Sequence, residues 1–117
     1  MPSEIKKPIV RRDKEGPTVE ILGGRLTFKV LSDETGGAYA IIEQTVPPGH
    51  GPPLHVHRKE TEIFYVAAGT FEVQCGEDIH RLNAGSLLVG PRDIPHRFEN
   101  VGETPGRLVL TVFPGRF

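Results

Sequence analysis

Glycine and proline interrupt this sequence so often that no long segment of one secondary structure fits between them. The 117 residues include 14 glycines and 11 prolines, placed singly or in small groups along the whole chain. Both residues are poorly tolerated inside helices, and both are common in turns. The remaining intervals are too short for ordinary α-helices, which average about 11–12 residues. The pattern therefore predicts short extended segments joined by turns.

The segments between these breakers have the alternation of β-strands. Phe71, Val73 and Cys75 would point to one face of a strand, while Thr70 and Glu72 would point to the other. We predict strands at 19–22, 26–31, 38–46, 62–67, 70–75, 79–82, 86–89, 96–99 and 108–113. Many short strands with turn signals every ~8–12 residues are typical of an all-β sandwich or barrel.

The chain length suits one domain with its own core. Cys75 is the only cysteine, so no intrachain disulfide can form.

Residues 1–16 are polar and are predicted to form a solvated N-terminal arm, or alternatively an arm packed along a partner subunit. Residues 17–117 are predicted to form the single barrel domain. Because open sheet edges need covering, we expect a homodimer.

The charge balance argues against nucleic acid and anionic membranes as partners. The sequence has 14 Lys and Arg residues against 15 Asp and Glu residues, so it has no basic excess. Its first residues lack the apolar run of a signal peptide, and no window approaches the ~20 apolar residues of a membrane span. We therefore expect a cytoplasmic protein whose partner is a small-molecule substrate.

Three histidines and one glutamate form a candidate metal site. His55 and His57 are two residues apart, so on a strand both face the same side. A bend could return Glu62 toward them, and an antiparallel barrel could place His96 beside them. Imidazole nitrogens with one carboxylate suit Fe, Mn, Co, Ni, Cu or Zn. These residues predict one divalent transition metal, although three surface histidines and a solvated glutamate would also fit them.

Other polar residues have weaker claims to a role. Glu60 could be the ligand in place of Glu62, or a solvated charge. His50, in a Gly-rich turn, is either a surface residue or an additional metal or substrate contact. His80 is predicted to be an exposed strand residue. Cys75 is predicted to be a small buried residue at a strand end, because no base is paired with it.

By alternation, Phe64, Phe98 and Leu110 should face the barrel interior. They either pack the core or line an apolar substrate pocket above the metal, and both roles can hold together. Gln44 lies on an otherwise apolar strand face, where a polar side chain needs a partner, so it is predicted to contact substrate or water. Asn100 is predicted to be structural, because an amide side chain suits a turn.

The spacing of these residues resembles the two sequence motifs of the cupin superfamily. The first motif, Gly-x5-His-x-His-x4-Glu-x6-Gly, is matched by Gly49, His55, His57, Glu62 and Gly69. The second, Gly-x5-Pro-x-Gly-x2-His-x3-Asn, is matched by Gly85, Pro91, His96 and Asn100, with Asp93 in place of its middle glycine. Aspartate tolerates turn and left-handed conformations better than most residues, so this difference concerns only the local turn.

This resemblance implies a double-stranded β-helix, the jelly-roll barrel of cupins. It implies His55, His57, Glu62 and His96 as ligands of one Fe, Mn, Ni, Cu or Zn ion, and it selects Glu62 over Glu60. Residues 51–66 are similar to small single-domain bacterial cupins that are grouped loosely with quercetin dioxygenases.

That similarity implies a dioxygenase-like oxidoreductase acting on a small enol, enediol or aromatic substrate. Glu62 would then be a catalytic base as well as a ligand, and Gln44, Phe64, Phe98 and Leu110 would line the substrate pocket. The alternatives are a metal-dependent isomerase or cyclase of a sugar or polyketide, and a binding cupin without turnover.

Overall fold

The computed structural model describes residues 7–21, 23–56 and 59–114. Parts of three predictions lie outside the described residues: residues 1–6 of the arm, Leu22 at the end of the first strand, and His57 in the metal site. So do residues 115–117 of the predicted domain. The nine predicted strands are confirmed, with each described end within two residues of its predicted position. They are β1 Thr18–Ile21, β2 Gly24–Val30, β3 Ala40–Val46, β4 Thr61–Ala68, β5 Thr70–Cys75, β6 Asp78–Asn83, β7 Leu87–Gly90, β8 His96–Asn100 and β9 Gly106–Phe113.

The strands form two antiparallel sheets. The larger sheet has six strands in the order β1-β2-β3-β9-β4-β7, and the smaller has three in the order β6-β5-β8. The predicted all-β jelly-roll barrel is therefore confirmed. The single-turn 3-10 helix Ser32–Thr35 is the one helix of the described residues. No helix in this part of the chain is long and apolar enough to cross a membrane.

The core lies between the two sheets and follows the alternation of the sequence. In β4, Phe64 and Val66 are completely buried, while the intervening Tyr65 is exposed on the outer face. Removing a large apolar side chain from water contributes about 1.5–3 kcal/mol to folding. The central cluster consists of Ile42, Val46, Phe64, Val66, Phe71, Val73, Phe98, Leu108 and Leu110.

The described part of the N-terminal arm is attached to its own chain. Arg11 donates two hydrogen bonds to the Glu34 carboxylate, at 2.8 and 2.9 Å. The Lys29 ammonium donates to the Arg12 carbonyl oxygen at 2.7 Å. The side chain of Arg12 is nevertheless exposed, as in a solvated arm. The predicted domain boundary and the predicted homodimer stay predictions.

Asn100 joins three parts of the chain at the end of β8. It is completely buried, and its amide nitrogen donates to the carbonyl oxygens of Val46 and Thr104, both at 2.9 Å. Its amide oxygen accepts a hydrogen bond from the backbone N–H of Gly102 at 2.8 Å. The side chain thus satisfies three backbone groups, which agrees with the predicted structural role. It does so from the last residue of a strand rather than from within a turn.

Replacing Asn100 by alanine should lower the free energy of unfolding by about 2–4 kcal/mol, because buried backbone groups lose their partners. Urea unfolding followed by circular dichroism measures this change. The matched control is Asn83→Ala, since Asn83 is exposed and only accepts a hydrogen bond from the Thr70 hydroxyl. The control should lose about 0.5 kcal/mol. Equal losses in the two variants would contradict the anchoring role of Asn100.

Candidate metal centre

The loop between β3 and β4 runs antiparallel along β8 and brings His55 to His96. The backbone N–H of each histidine donates to the carbonyl oxygen of the other, at 3.0 and 2.7 Å. The loop passes so close to β8 that a Cβ atom at Gly51 would lie 1.8 Å from the Phe98 carbonyl oxygen. Glycine is therefore required at this position. Backbone contacts, rather than side-chain packing alone, hold His55 in place.

Three donor side chains meet at one point inside the barrel. Glu62 comes from β4 in the larger sheet, His96 begins β8 in the smaller sheet, and His55 comes from the loop. Their ligand atoms all lie within 4.8 Å of one another. His96 Nε2 is 3.3 Å from Glu62 Oε2. His96 is 1% exposed and Glu62 is 7% exposed, whereas His55 is half-buried, so two of the three side chains are shielded from bulk water.

Backbone carbonyls orient both imidazoles in the same way. Nδ1 of His55 lies 2.8 Å from the Pro53 carbonyl oxygen, and Nδ1 of His96 lies 3.3 Å from that of Ile94. A carbonyl oxygen can only accept, so Nδ1 carries the proton in each contact. Nε2 then holds the lone pair that can bind an ion, as is common for metal-binding histidines.

The donor set fits a transition-metal ion. Two imidazole nitrogens and a carboxylate oxygen suit first-row divalent metals. Ligand atoms that share one such ion lie ~3–4 Å apart, so a cluster within 4.8 Å is already close to coordinating geometry. The carboxylate also supplies negative charge against the ion in a buried place. The described residues can thus provide three of the four predicted ligands, and His57 lies outside them.

The Glu62 carboxylate raises the pKa of His96. The largest cause is the side-chain interaction between the two groups, and the charge of Glu62 and the Ile94 carbonyl act in the same direction. Burial opposes them, because it disfavours the charged imidazolium. The Glu62 carboxylate thus favours the protonated form of His96 when no metal is bound.

The other polar candidates take varied positions. Glu60 is 9% exposed, so the prediction of a solvated charge is wrong for it, yet it is not a member of the described three-residue cluster. His80 is exposed on β6, as predicted. Cys75 ends β5 and is half-buried, and desolvation together with the charge of Asp78 raises the pKa of its thiol.

A cavity of about 380 Å³ opens beside the cluster and includes His55 and Glu62 in its wall. Most of its surface is apolar, and its size is that of a pocket for a small molecule. Three of the four predicted pocket residues line it, namely Gln44, Phe98 and Leu110. His50 lines it as well. The main apolar walls are Leu26, Ile42, Val46, Phe98, Leu110 and Val112.

Phe64 takes the core position, one of the two positions that alternation allowed, and does not line the cavity among the described residues. It is completely buried. Its ring packs edge-on against His96, with centroids 5.5 Å apart, and against Phe98 at 6.0 Å. Alternation places a side chain inside the barrel, but it does not tell whether neighbours cover that side chain. Phe64 therefore packs against the candidate ligand His96 from within the core.

The backbone explains the glycines of the motifs. Gly49, Gly69 and Gly85 have φ angles of 78°, 90° and 93°, which non-glycine residues rarely adopt. Asp93 has φ of 69°, so it takes the left-handed conformation that its side chain was expected to tolerate.

Sequence reasoning missed the carbonyls of Pro53 and Ile94 that orient the imidazoles. In the sequence, both carbonyls belong to a residue that lies two positions before a histidine and has a proline as a neighbour. This shared pattern could have identified them.

Replacing Glu62 by glutamine should lower the pKa of His96 in the metal-free protein. The substitution removes the carboxylate that raises this pKa, whereas burial continues to lower it. The NMR titration of the His96 Cε1 proton after dialysis against EDTA measures the change. A His96 midpoint that is equal in both proteins would refute the pairing.

Comparisons with known proteins agree with this geometry. A family model described as a cupin domain matches residues 42–113. Protein SchB of Streptomyces halstedii is 41% identical over 87 residues, which cover 73% of this chain and 63% of that protein. Polyketide synthase CurC of Streptomyces cyaneus is 36% identical over 67 residues, covering 57% of this chain and 44% of that protein. The chain thus spans less than two thirds of the length of either relative.

A solved structure shares the fold at low sequence identity. An RmlC-like cupin from Shewanella frigidimarina NCIMB 400 superposes with a TM-score of 0.77 at 20% identity, covering 94% of each chain. At that identity the likeness concerns the fold alone. The family match extends over more than half of the chain and includes the described metal-site residues Glu62, His55 and His96. This chain belongs to the cupin family.

Proposed function

We propose that this cupin binds one divalent transition-metal ion and acts on a small enol, enediol or aromatic substrate in the adjoining cavity. The ligands would be His55, Glu62 and His96, joined by His57. The observation that carries the proposal is the position of the donor cluster. His96 and Glu62 are buried, His55 is half-buried, and His55 and Glu62 form part of the wall of a mostly apolar cavity. Such a cavity with a few convergent polar groups is the usual form of a small-molecule site.

A bound ion would supply Lewis acidity, lowering the pKa of a substrate hydroxyl or polarising a carbonyl. The protein contributes the orientation of the reacting groups. The Pro53 and Ile94 carbonyls fix the imidazoles, and Phe64 packs behind His96. The apolar wall, including Phe98, excludes water and holds the flat part of a substrate.

Glu62 is the proposed catalytic base. A carboxylate has two oxygens, so one can serve as a ligand while the other accepts the proton of a substrate hydroxyl. Its place in the cavity wall puts this carboxylate within reach of a bound molecule. Glu62 therefore has two roles in the proposal, ligand and proton acceptor.

The leading reaction is a dioxygenation, in which both atoms of O₂ enter the organic product. It suits an electron-rich enolate held in a dry, apolar cavity. The second candidate is a metal-dependent isomerisation or cyclisation without O₂. The similarity to a relative named polyketide synthase CurC favours this second reaction on a polyketide. A binding function without turnover would use the same pocket.

Replacing His96 by alanine should abolish stoichiometric metal binding, because a buried ligand at the centre of the cluster is lost. Metal analysis of purified, dialysed protein measures the ratio of metal to chain. His80→Ala is the matched control and should keep one metal per chain, since His80 is exposed on β6. Glu62→Gln should lose most of its metal, whereas Glu60→Gln should retain it. Full occupancy in His96→Ala would overturn the proposed ligand set.

Oxygen consumption should accompany turnover of flavonol or diketone substrates by protein reconstituted with iron, manganese, nickel or copper. An oxygen electrode together with product analysis measures the stoichiometry, which is expected to be one O₂ per substrate. Product formation under strict exclusion of oxygen would instead identify the isomerase or cyclase reaction. Turnover that persists unchanged in His96→Ala would contradict both metal-dependent reactions.

A further inference from the structure

We propose that the cavity selects an uncharged, elongated apolar molecule with a polar oxygen at each end. One oxygen would face the cluster of His55, Glu62 and His96, and the other would be bound by the amide of Gln44. Gln44 would then be the residue that determines specificity toward the far end of the pocket. The inference rests on the proposed function in that it places substrate in this cavity, and it adds the class of molecule that fits.

The charge of the wall excludes multiply anionic ligands. Glu62 is the one acidic residue among the described residues that line the cavity, and no lysine or arginine is among them. A phosphate or a second carboxylate taken out of water needs a paired cation, and without one its burial is costly. A bound divalent metal could balance one anionic oxygen at the cluster, but nothing comparable is found along the described walls.

The far part of the cavity is apolar and suits a flat hydrocarbon skeleton. Leu26 and Ile42 form its wall on β2 and β3, and Leu110 continues the wall on β9. Ile21 of β1 lines it as well, with 42% of its surface exposed. A sugar placed against these side chains would have hydroxyl groups without hydrogen-bond partners. An aromatic ring would instead remove the apolar side chains from water, which favours binding.

Gln44 lies toward the end of the cavity away from Glu62, and Val46 of the same strand lines the cavity beyond it. On the inner face of the sheet its partners in register are Leu26 and Leu108, and Leu108 in turn pairs with Val66. Gln44 is therefore two strands from β4, roughly 10 Å, and displaced by four residues, roughly 13 Å, from Glu62 along the strand direction. Side chains reach inward from both ends, so the gap that remains suits two fused rings.

The Gln44 amide is available to a ligand. It is half-buried in the cavity wall, and no hydrogen bond of its side chain to another residue is found within the described part of the chain. The other glutamine, Gln74, differs sharply, because it accepts from Arg97 at 2.9 Å and donates to the Gly76 carbonyl at 3.1 Å. A bound molecule that forms a hydrogen bond with the Gln44 amide would offset the cost of placing this polar group on an apolar face.

The first test compares 2-naphthol with 2-naphthyl phosphate, which share one ring system and differ in charge. Binding is measured by isothermal titration with protein dialysed against EDTA, after circular dichroism has verified that the protein is folded. We expect 2-naphthol to bind, and the phosphate to bind about tenfold more weakly or not at all. Equal or tighter binding of the phosphate would overturn the selection against anions.

The second test examines the role of Gln44. The wild type should bind 2,6-dihydroxynaphthalene about three- to tenfold more tightly than 2-naphthol, because the second hydroxyl meets the Gln44 amide. Gln44→Leu should abolish this advantage, so that the variant binds the two ligands with about equal affinity. Gln74→Leu, the matched control outside the cavity, should keep the advantage. An advantage that persists in Gln44→Leu, or is absent in the wild type, would refute the assignment.

Both tests use metal-free protein, so their outcome is separate from that of the proposed function. Failure to bind metal or consume oxygen would leave the ranking of the naphthalene ligands as expected. Conversely, a protein that binds metal and turns over substrate but prefers the phosphate would sustain the proposed function and reject this inference.

Discussion

The metal-site geometry depends on the short antiparallel pairing of the β3–β4 loop with β8. His55 and His96 exchange two backbone hydrogen bonds, and their rings lie edge to face with centroids 4.6 Å apart. At the other end of the same pairing, the carbonyl oxygen of His50 accepts from the backbone N–H of Asn100 at 2.9 Å. These hydrogen bonds hold the loop at both ends. His55 therefore has a position as well defined as that of a strand residue, although it lies in a loop.

The two sheets each contribute one side chain beside this pairing. Glu62 belongs to the larger sheet and His96 to the smaller, so the cluster forms only where the barrel closes. The aromatic side chains Phe64 and Phe98 fill the space beneath it and contact each other edge to face. The candidate metal ligands thus lie at one end of a mostly apolar interior, and the cavity continues from them into the barrel. This arrangement favours chemistry on an apolar molecule that carries few oxygens.

Much of this architecture follows from the sequence alone, for identifiable reasons. Glycine and proline mark the turns, and the period-two alternation of residues such as Phe71 and Val73 identifies the strands. The spacing of His55, Glu62 and His96 was informative because it belongs to a recurring motif. The unpredicted features depend on packing between distant segments. Burial of Glu60 and the covering of Phe64 cannot be derived from local alternation, and neither can the distance between Gln44 and Glu62.

We propose that Nε2 of His55, Nε2 of His96 and a carboxylate oxygen of Glu62 hold one metal ion. The most direct test is a crystal structure of the metal-loaded protein with anomalous diffraction measured at the absorption edge of the bound metal. We expect a single anomalous peak, ~2.0–2.2 Å from each of these three atoms. We also expect Nδ1 of both histidines to remain on the Pro53 and Ile94 carbonyls. A peak elsewhere in the barrel, or coordination through Nδ1, would rule out this ligand set.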